Sequence, residues 1–233
     1  MTVRKLGQEG LIWFLGVVES RDDPDKLGRV KVRIFDLHTQ NKALMPTDQL
    51  PWATIMMPAF HPSFNKVGLS PTGLIVGSTV IGFFLDGNDA NQPVIMGTIH
   101  GIQDNNVQKH DVPDTAREIN NISKSYDAME PESSYGTRYP FNKVFNTERG
   151  HVIEIDDTPD KERIHIYHRS GTYSEINSEG RKVDKVVNDH YEITLGNKTV
   201  HIKGNVNILV DGTYTLESKG NMTIKAPRID LNP

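Results

Sequence analysis

The chain of 233 residues contains no cysteine. Disulfide scaffolds and thiolate metal sites are therefore excluded, although the compartment is not fixed by that absence. Long apolar runs are missing too: nothing approaches the roughly 20 consecutive apolar residues of a membrane-spanning helix. The opening MTVRKLGQEGLIWF has no apolar core of signal length and no cleavage-site pattern, so a protein made in the cytoplasm is expected. Hydrophobic residues make up only 36%, below the globular norm, so some segments must bury little surface within one chain. A formal charge of −4 argues against a general nucleic-acid binder.

The first hundred residues read as strands and turns. Leu11 to Glu19 (LIWFLGVVE) is apolar with β-branched and aromatic residues, and RDDPDKLG then supplies a turn. Arg29 to Phe35 alternates strictly, with Val30, Val32 and Ile34 on one face and Arg29, Lys31 and Arg33 on the other. Further strands are expected over Leu50 to Met57 with a Pro entry, over Gly77 to Leu85 and over Pro93 to Ile99. Such a series fits a small closed barrel over residues 1–100. Residues 101–138 are polar and aperiodic, the character of a linker, with one short helix conceivable in TAREINNISKSYDAM. From Asn142 the pattern is β again: HVIEID and ERIHIYH alternate across the turn sequence DTPDK. Residues 139–179 form a β-rich entry to the C-terminal segment.

Gly180, Gly196, Gly204, Gly212 and Gly220 fall on one eight-residue grid, with Asn188 in the remaining slot. A short period with a turn-former at one slot marks a repeating β architecture over residues 180–233. Glycine and asparagine suit such slots because they accept a positive φ at little cost. In the later octads Val200, Ile202, Val206, Ile208, Val210, Tyr214, Leu216, Met222 and Ile224 share one parity. In the first two, Val183, Val187, Tyr191, Ile193 and Leu195 take the other, so either the inward face changes near Gly196 or the rod starts there. One octad face carries too few apolar groups to offset the ordering of its backbone, and a lone chain would leave long edges unpaired. Three chains wound about one axis remove both problems and are the favoured reading; a single-chain solenoid or an ordinary β-sandwich end is the alternative. Val200, Ile202, Val206, Ile208, Val210, Leu216 and Ile224 are then the trimer core. Six octads at about 4.8 Å per strand give a rod on the order of 30 Å long.

Other residues invite chemistry. Glu154, Asp156 and Asp157 are a carboxylate cluster of the kind glycosidases use, but strand and turn positions favour a solvated face. Among the nine histidines, His165 and His168 lie on opposite strand faces and do not chelate, and surface positions are expected for both and for His201. The stripe Arg29, Lys31 and Arg33 faces solvent or a partner; single-strand binding with Trp13, Phe14 and Phe35 is the nucleic-acid alternative.

Two stretches carry a family resemblance. WFLGVVESRDDPDKLGRVKVRIFDLHT with LPWATIMMP resembles the OB-type barrel of the central spikes of contractile phage tails, the tail-associated lysozyme type. YPFNKVFNTERGHVIEIDDTPDKERIHIYHRSGTYSEI and the ending NMTIKAPRIDLN are similar to the spike region shared with type VI secretion spikes. The resemblance implies an all-β chain: an N-terminal OB-fold barrel, then a C-terminal intertwined trimeric β-helix on the octads. It implies a homotrimer, a structural spike of the virion tail baseplate that pierces the host outer envelope. Its partners would be a separate trimeric tail hub, met through Arg29, Lys31 and Arg33, and a small tip-capping protein near Ile229 and Leu231. No cofactor, metal or nucleic acid is implied. The lysozyme domain of the T-even relative has no counterpart here, since only polar residues 101–138 stand in its place, so hydrolysis is not carried over. A type VI or tailocin-like spike and a peptidoglycan or glycan hydrolase are the rival readings.

Overall fold

A computed structural model describes residues 11–65, 67–100 and 131–230. The helix conceivable in residues 115–129 and the tip residue Leu231 lie outside the described residues. The chain divides into two compact units, with the boundary between Lys185 and Val186.

Five strands close the barrel: β1 (Trp13–Ser20), β2 (Val30–Ile34), β3 (Trp52–Ile55), β4 (Thr79–Phe84) and β5 (Pro93–Thr98). Their order around the wall is β1-β2-β3-β5-β4. The β3–β5 pairing is parallel, and the β1–β2, β1–β4, β2–β3 and β4–β5 pairings are antiparallel. Alternation sets the interior as expected: Val30, Val32 and Ile34 join Phe14, Val18, Ala53, Val80, Phe84 and Ile95 in one core. Gly82 is required by space, because a Cβ there would lie 2.1 Å from the Val94 carbonyl oxygen and 2.6 Å from the Phe14 ring. The missing methyl lets β4 run under the Phe14 side chain.

The second sheet is a meander of β6 (Asn142–Asn146), β7 (Val152–Asp156), β8 (Arg163–Tyr167), β9 (Tyr173–Ile176) and β10 (Lys182–Lys185), each strand antiparallel to the next. Three of its hairpins share one device. Gly150, Gly171 and Gly180 sit at φ +79°, +95° and +75°, and each donates its N–H to the residue three places back, Thr147, His168 and Asn177. That is a turn closed by a left-handed glycine, the commonest three-residue-loop hairpin. Gly180 therefore belongs with the hairpin glycines, and half of the first octad, Lys182–Lys185, pairs as β10 with β9. Val183 packs against the Val152, Tyr167 and Tyr173 cluster, so its parity is set by this sheet; Val187, Tyr191, Ile193 and Leu195 are exposed.

Beyond Lys185 the chain is different. No described residue from 186 to 230 lies in a helix or strand, and all of them are exposed in the single chain. The backbone bends at 187–188, 195–196, 203–204, 211–212 and 219–220, one bend per octad. Positive φ is not what selects glycine there: Asn188, Gly196, Gly204, Gly212 and Gly220 are absent from the positive-φ positions. In addition, a Cβ at Gly196, Gly204, Gly212 or Gly220 would meet nothing within 4 Å of this chain. Neither local strain nor an intrachain neighbour accounts for glycine at those slots.

Candidate functional site

The β6–β10 sheet has its faces reversed relative to ordinary amphipathic strands. Alternation places Val152, Glu154 and Asp156 with Arg163, His165, Tyr167 and Glu175 on one side, and all seven are buried. Ile153, Ile155, Ile164, Ile166, Ile176 and Phe145 point to the other side and are exposed. The expectation that Glu154 and Asp156 form a solvated face is thus overturned, as is a surface position for His165. The cause is a strap of the same chain, residues 133–138, which lies across the charged face.

The strap contacts are specific. Ser133 Oγ donates to the Glu175 carboxylate, 2.9 and 3.0 Å from its two oxygens. Thr137 Oγ1 donates to Asp156 Oδ2 at 2.6 Å, and the Arg138 amide donates to Thr158 Oγ1 at 3.0 Å. Arg163 is the hub of the buried charges. It pairs with Glu154 through Nη2 and with Glu175 through Nη1 at 3.2 Å, and the Tyr135 ring lies 4.8 Å from its guanidinium carbon. Asn142 Nδ2 donates to the remaining Glu154 oxygen at 2.9 Å. For Asp156, burial raises the pKa, but hydrogen bonds from Thr137 and Thr158 and the Arg163 charge outweigh it, so the net shift is downward. Asp157, the third carboxylate of the cluster, points outward and pairs with Lys143. All three carboxylates are therefore engaged in structural contacts.

The apolar face has an equally ordered layout. Lys143, Ile155, Ile164, Ile176 and Lys182 are successive cross-strand neighbours, and Phe145, Ile153, Ile166 and Ser174 form the next row. An isoleucine centre is thus flanked on the edge strands by Lys143 and by the Lys182–Asp184 pair, Asp184 lying opposite Ser174. Covering side chains that are each about half exposed would contribute on the order of 1 kcal/mol apiece, a sum comparable with the net stability of a small domain.

The basic stripe on the barrel is rearranged. Arg33, expected to face solvent or a partner, is buried. Its Nε and Nη2 donate to the two Glu19 oxygens at 2.8 and 3.0 Å, and further N–H groups donate to the carbonyls of Thr39 and Met45. Arg29 is paired with Asp23 and Asp25. Lys31 donates to the carbonyls of Asp48 and Leu50 and lies over Trp52. Alternation correctly put these residues outside the barrel core; the loop after β2 folds back and covers Arg33. Trp13 and Leu15 are exposed on the wall instead, beside the half-buried Phe83 and Ile81: Trp13 meets Phe83 edge to face at 5.8 Å, and Leu15 stands opposite Ile81.

Glu19 yields a pH prediction. The Arg33 hydrogen bonds, opposed by burial and reinforced by Thr47 and Lys42, lower its pKa from 4.5 to about 2. A depressed acid stabilises the fold above its unfolded value and loses that contribution as pH falls through its folded value. The barrel should therefore lose on the order of 3 kcal/mol between about pH 4.5 and pH 2. Glu19→Gln should be less stable at pH 7 and lose less over that window, the slope that remains coming from acids such as Asp23, whose pKa Arg29 lowers. Chemical denaturation at several pH values measures both; a wild-type slope retained by the variant would place the dependence elsewhere.

In the octads, Val200, Ile202, Val206, Ile208, Val210, Leu216 and Ile224 are all exposed, as is Ile229 near the end. Gly204→Val follows as a test. Since the chain itself leaves the slot open, the substitution should not alter an isolated protomer, and any loss of SDS-resistant oligomer would have to come from neighbouring chains.

A closed five-stranded barrel, a sheet polar inside and apolar outside, and an exposed C-terminal segment bent once per octad define an all-β protein. The sequence profile described as the Gp5 N-terminal OB domain matches residues 36–190. Protein Gp5 of Vibrio phage KVP40 is 33% identical over 285 aligned residues, covering 94% of this chain and 68% of the relative. The pre-baseplate central spike protein Gp5 of Enterobacteria phage T4 is 42% identical over 97 residues, or 40% of this chain and 17% of that protein. The chain belongs to the Gp5 family of phage baseplate central spike proteins.

Proposed function

We propose that this protein works as the homotrimeric, non-enzymatic central spike of a contractile tail, whose octads wind with those of two sister chains into a narrow β-helix. The observation that carries the reading is the segment 186–230, bent once per octad with its whole apolar set exposed. A lone chain leaves those groups in water, whereas three wound chains bury them and pair their backbones. Interlocked chains must unfold together, which gives kinetic stability and a stiff rod. Contraction would drive that rod into the host outer envelope.

Docking to a separate trimeric hub is better assigned to the apolar wall of Trp13, Leu15, Ile81 and Phe83 than to Arg29, Lys31 and Arg33, whose charges are satisfied within the chain. A small capping protein would meet the C-terminal end near Ile229. The mechanism calls for no cofactor and no nucleic acid. Glu154, Asp156 and Asp157 serve structure in this reading.

The test is mass in solution. Light scattering should give three copies per particle at micromolar concentration, with resistance to SDS at room temperature. A stable monomer would refute the spike reading. Robust hydrolysis of purified cell walls or capsular glycan by this chain would refute its non-enzymatic part.

A further inference from the structure

We infer that the isoleucine face of the β6–β10 sheet is where copies of this chain first meet, and that this docking sets the register from which the octads wind. The inference rests on the trimeric reading above and adds the place where assembly begins.

The sheet is already complete within one chain. All five strands are paired, local hairpins close them, and the strap covers the charged face. Short hairpins are cheap to close and quick to form. What remains uncovered is one face: Ile153, Ile155, Ile164, Ile166, Ile176 and Phe145 exposed at its centre, Lys143, Lys182 and Asp184 at its edges. An apolar centre with a charged rim is the anatomy of a protein interface.

A second copy is the occupant that fits. The chain runs from β10 straight into the repeat at Val186. Every octad after that needs neighbours with the same period and parity, and another copy of this sequence supplies both at each step. The octads cannot align themselves. A slip of one residue turns every inward side chain outward, and a slip of one whole octad leaves the repeat pattern unchanged. A non-repeating surface placed just before the repeat removes both errors. The face is non-repeating, since Phe145 and Asp184 end one row and Lys143 and Lys182 end the other.

The test compares two full-length double variants. Ile155→Thr with Ile166→Thr keeps β-branched residues and strand propensity but removes the apolar centre. Ile208→Asn with Val210→Asn disables an octad instead. The sheet-face pair should stay monomeric at concentrations where wild type is fully trimeric, a shift of at least tenfold in the association midpoint. Amide exchange should show β7 and β8 still protected in that monomer. The octad pair should still associate, but into trimers that dissociate in SDS.

Because the chain has no cysteine, Ile164→Cys supplies a single handle that does not depend on either variant folding well. During refolding, a bismaleimide should cross-link copies at that position before octad amides gain protection. Trimers formed as readily by the sheet-face pair as by wild type would overturn the inference and leave the trimeric reading standing. So would octad protection preceding the Ile164→Cys cross-link, or failure of the octad pair to associate at all. A monomeric wild type would sink the trimeric reading itself.

Discussion

Arg163→Met is expected to unfold the five-stranded sheet while the barrel stays folded. Arg163 and Glu154 are fully buried, and Glu175 nearly so. Removing the guanidinium leaves two carboxylates facing each other under the strap with Asp156 close by, and methionine returns only the packing volume. Breaking a buried pair from one side costs about 3–5 kcal/mol, because a charge is stranded away from water. A sheet with so small an apolar cluster, Val152, Tyr167 and Tyr173 with Val144 and Val183 beside it, has no comparable reserve. Hydrogen exchange should show amides of Val152–Asp156 and Arg163–Tyr167 losing protection while those of Val30–Ile34 keep it. Adding Glu154→Gln and Glu175→Gln removes the stranded charges and should restore part of the protection. If Arg163→Met alone left β7 and β8 protected, the charged face would not be what holds the strap and sheet together.

The barrel is legible in the sequence because its alternation has one meaning. In VKVRI the apolar residues have only the barrel interior to enter, and Val30, Val32 and Ile34 enter it. Arg33 shows the limit of that reasoning. Period-2 patterning says which side chains leave the core, but not whether a later loop returns to cover them. Nothing in DLHTQNKALMPTDQ marks it as a cap, since the groups that bind Arg33 are mostly backbone carbonyls. One faint signal is Glu19, a carboxylate at the matching end of β1.

The second sheet departs from expectation for a related reason. VIEID and RIHIY alternate as clearly as the barrel strands, and the default sends isoleucine inward. In this chain the charged side is covered, because ESSYGTRY supplies serine, threonine and tyrosine partners for Glu175, Asp156 and Arg163. No periodicity announces such a strap. The reversed burial is informative about assembly, since charged groups that find partners within the chain free the isoleucines to seek theirs outside it. The octads present the opposite case. Their period is plain, and the bends fall on it, yet the φ argument for glycine does not hold at Gly196, Gly204, Gly212 and Gly220. A Cβ at those slots would meet nothing of this chain, so the reason for glycine there is not legible from a single protomer.

Ile208→Asp should abolish the SDS-resistant trimer, and Leu209→Asp should not. Both residues are exposed in the single chain and differ by one position, so in an isolated protomer the two substitutions are nearly equivalent. In a wound trimer they are opposites. Ile208 shares the parity of Val200, Ile202, Val206 and Val210, the set assigned to the axis, whereas Leu209 projects to the outside. One aspartate per chain at the axis places three carboxylates together in a dry, narrow interior. Each loses its apolar contacts and incurs a desolvation cost of several kcal/mol, and mutual repulsion adds to both. Since each chain contributes the same defect, the penalty acts three times on one particle. The expected readout is an Ile208→Asp band migrating as monomer on unboiled gels, with a melting transition far below wild type, while Leu209→Asp migrates as wild type. Protonating the carboxylates should partly rescue assembly at acidic pH, a response the outward substitution has no reason to show. Equal effects from the two substitutions would mean that parity does not set the inward face, and the trimer core assigned to these octads would have to be abandoned.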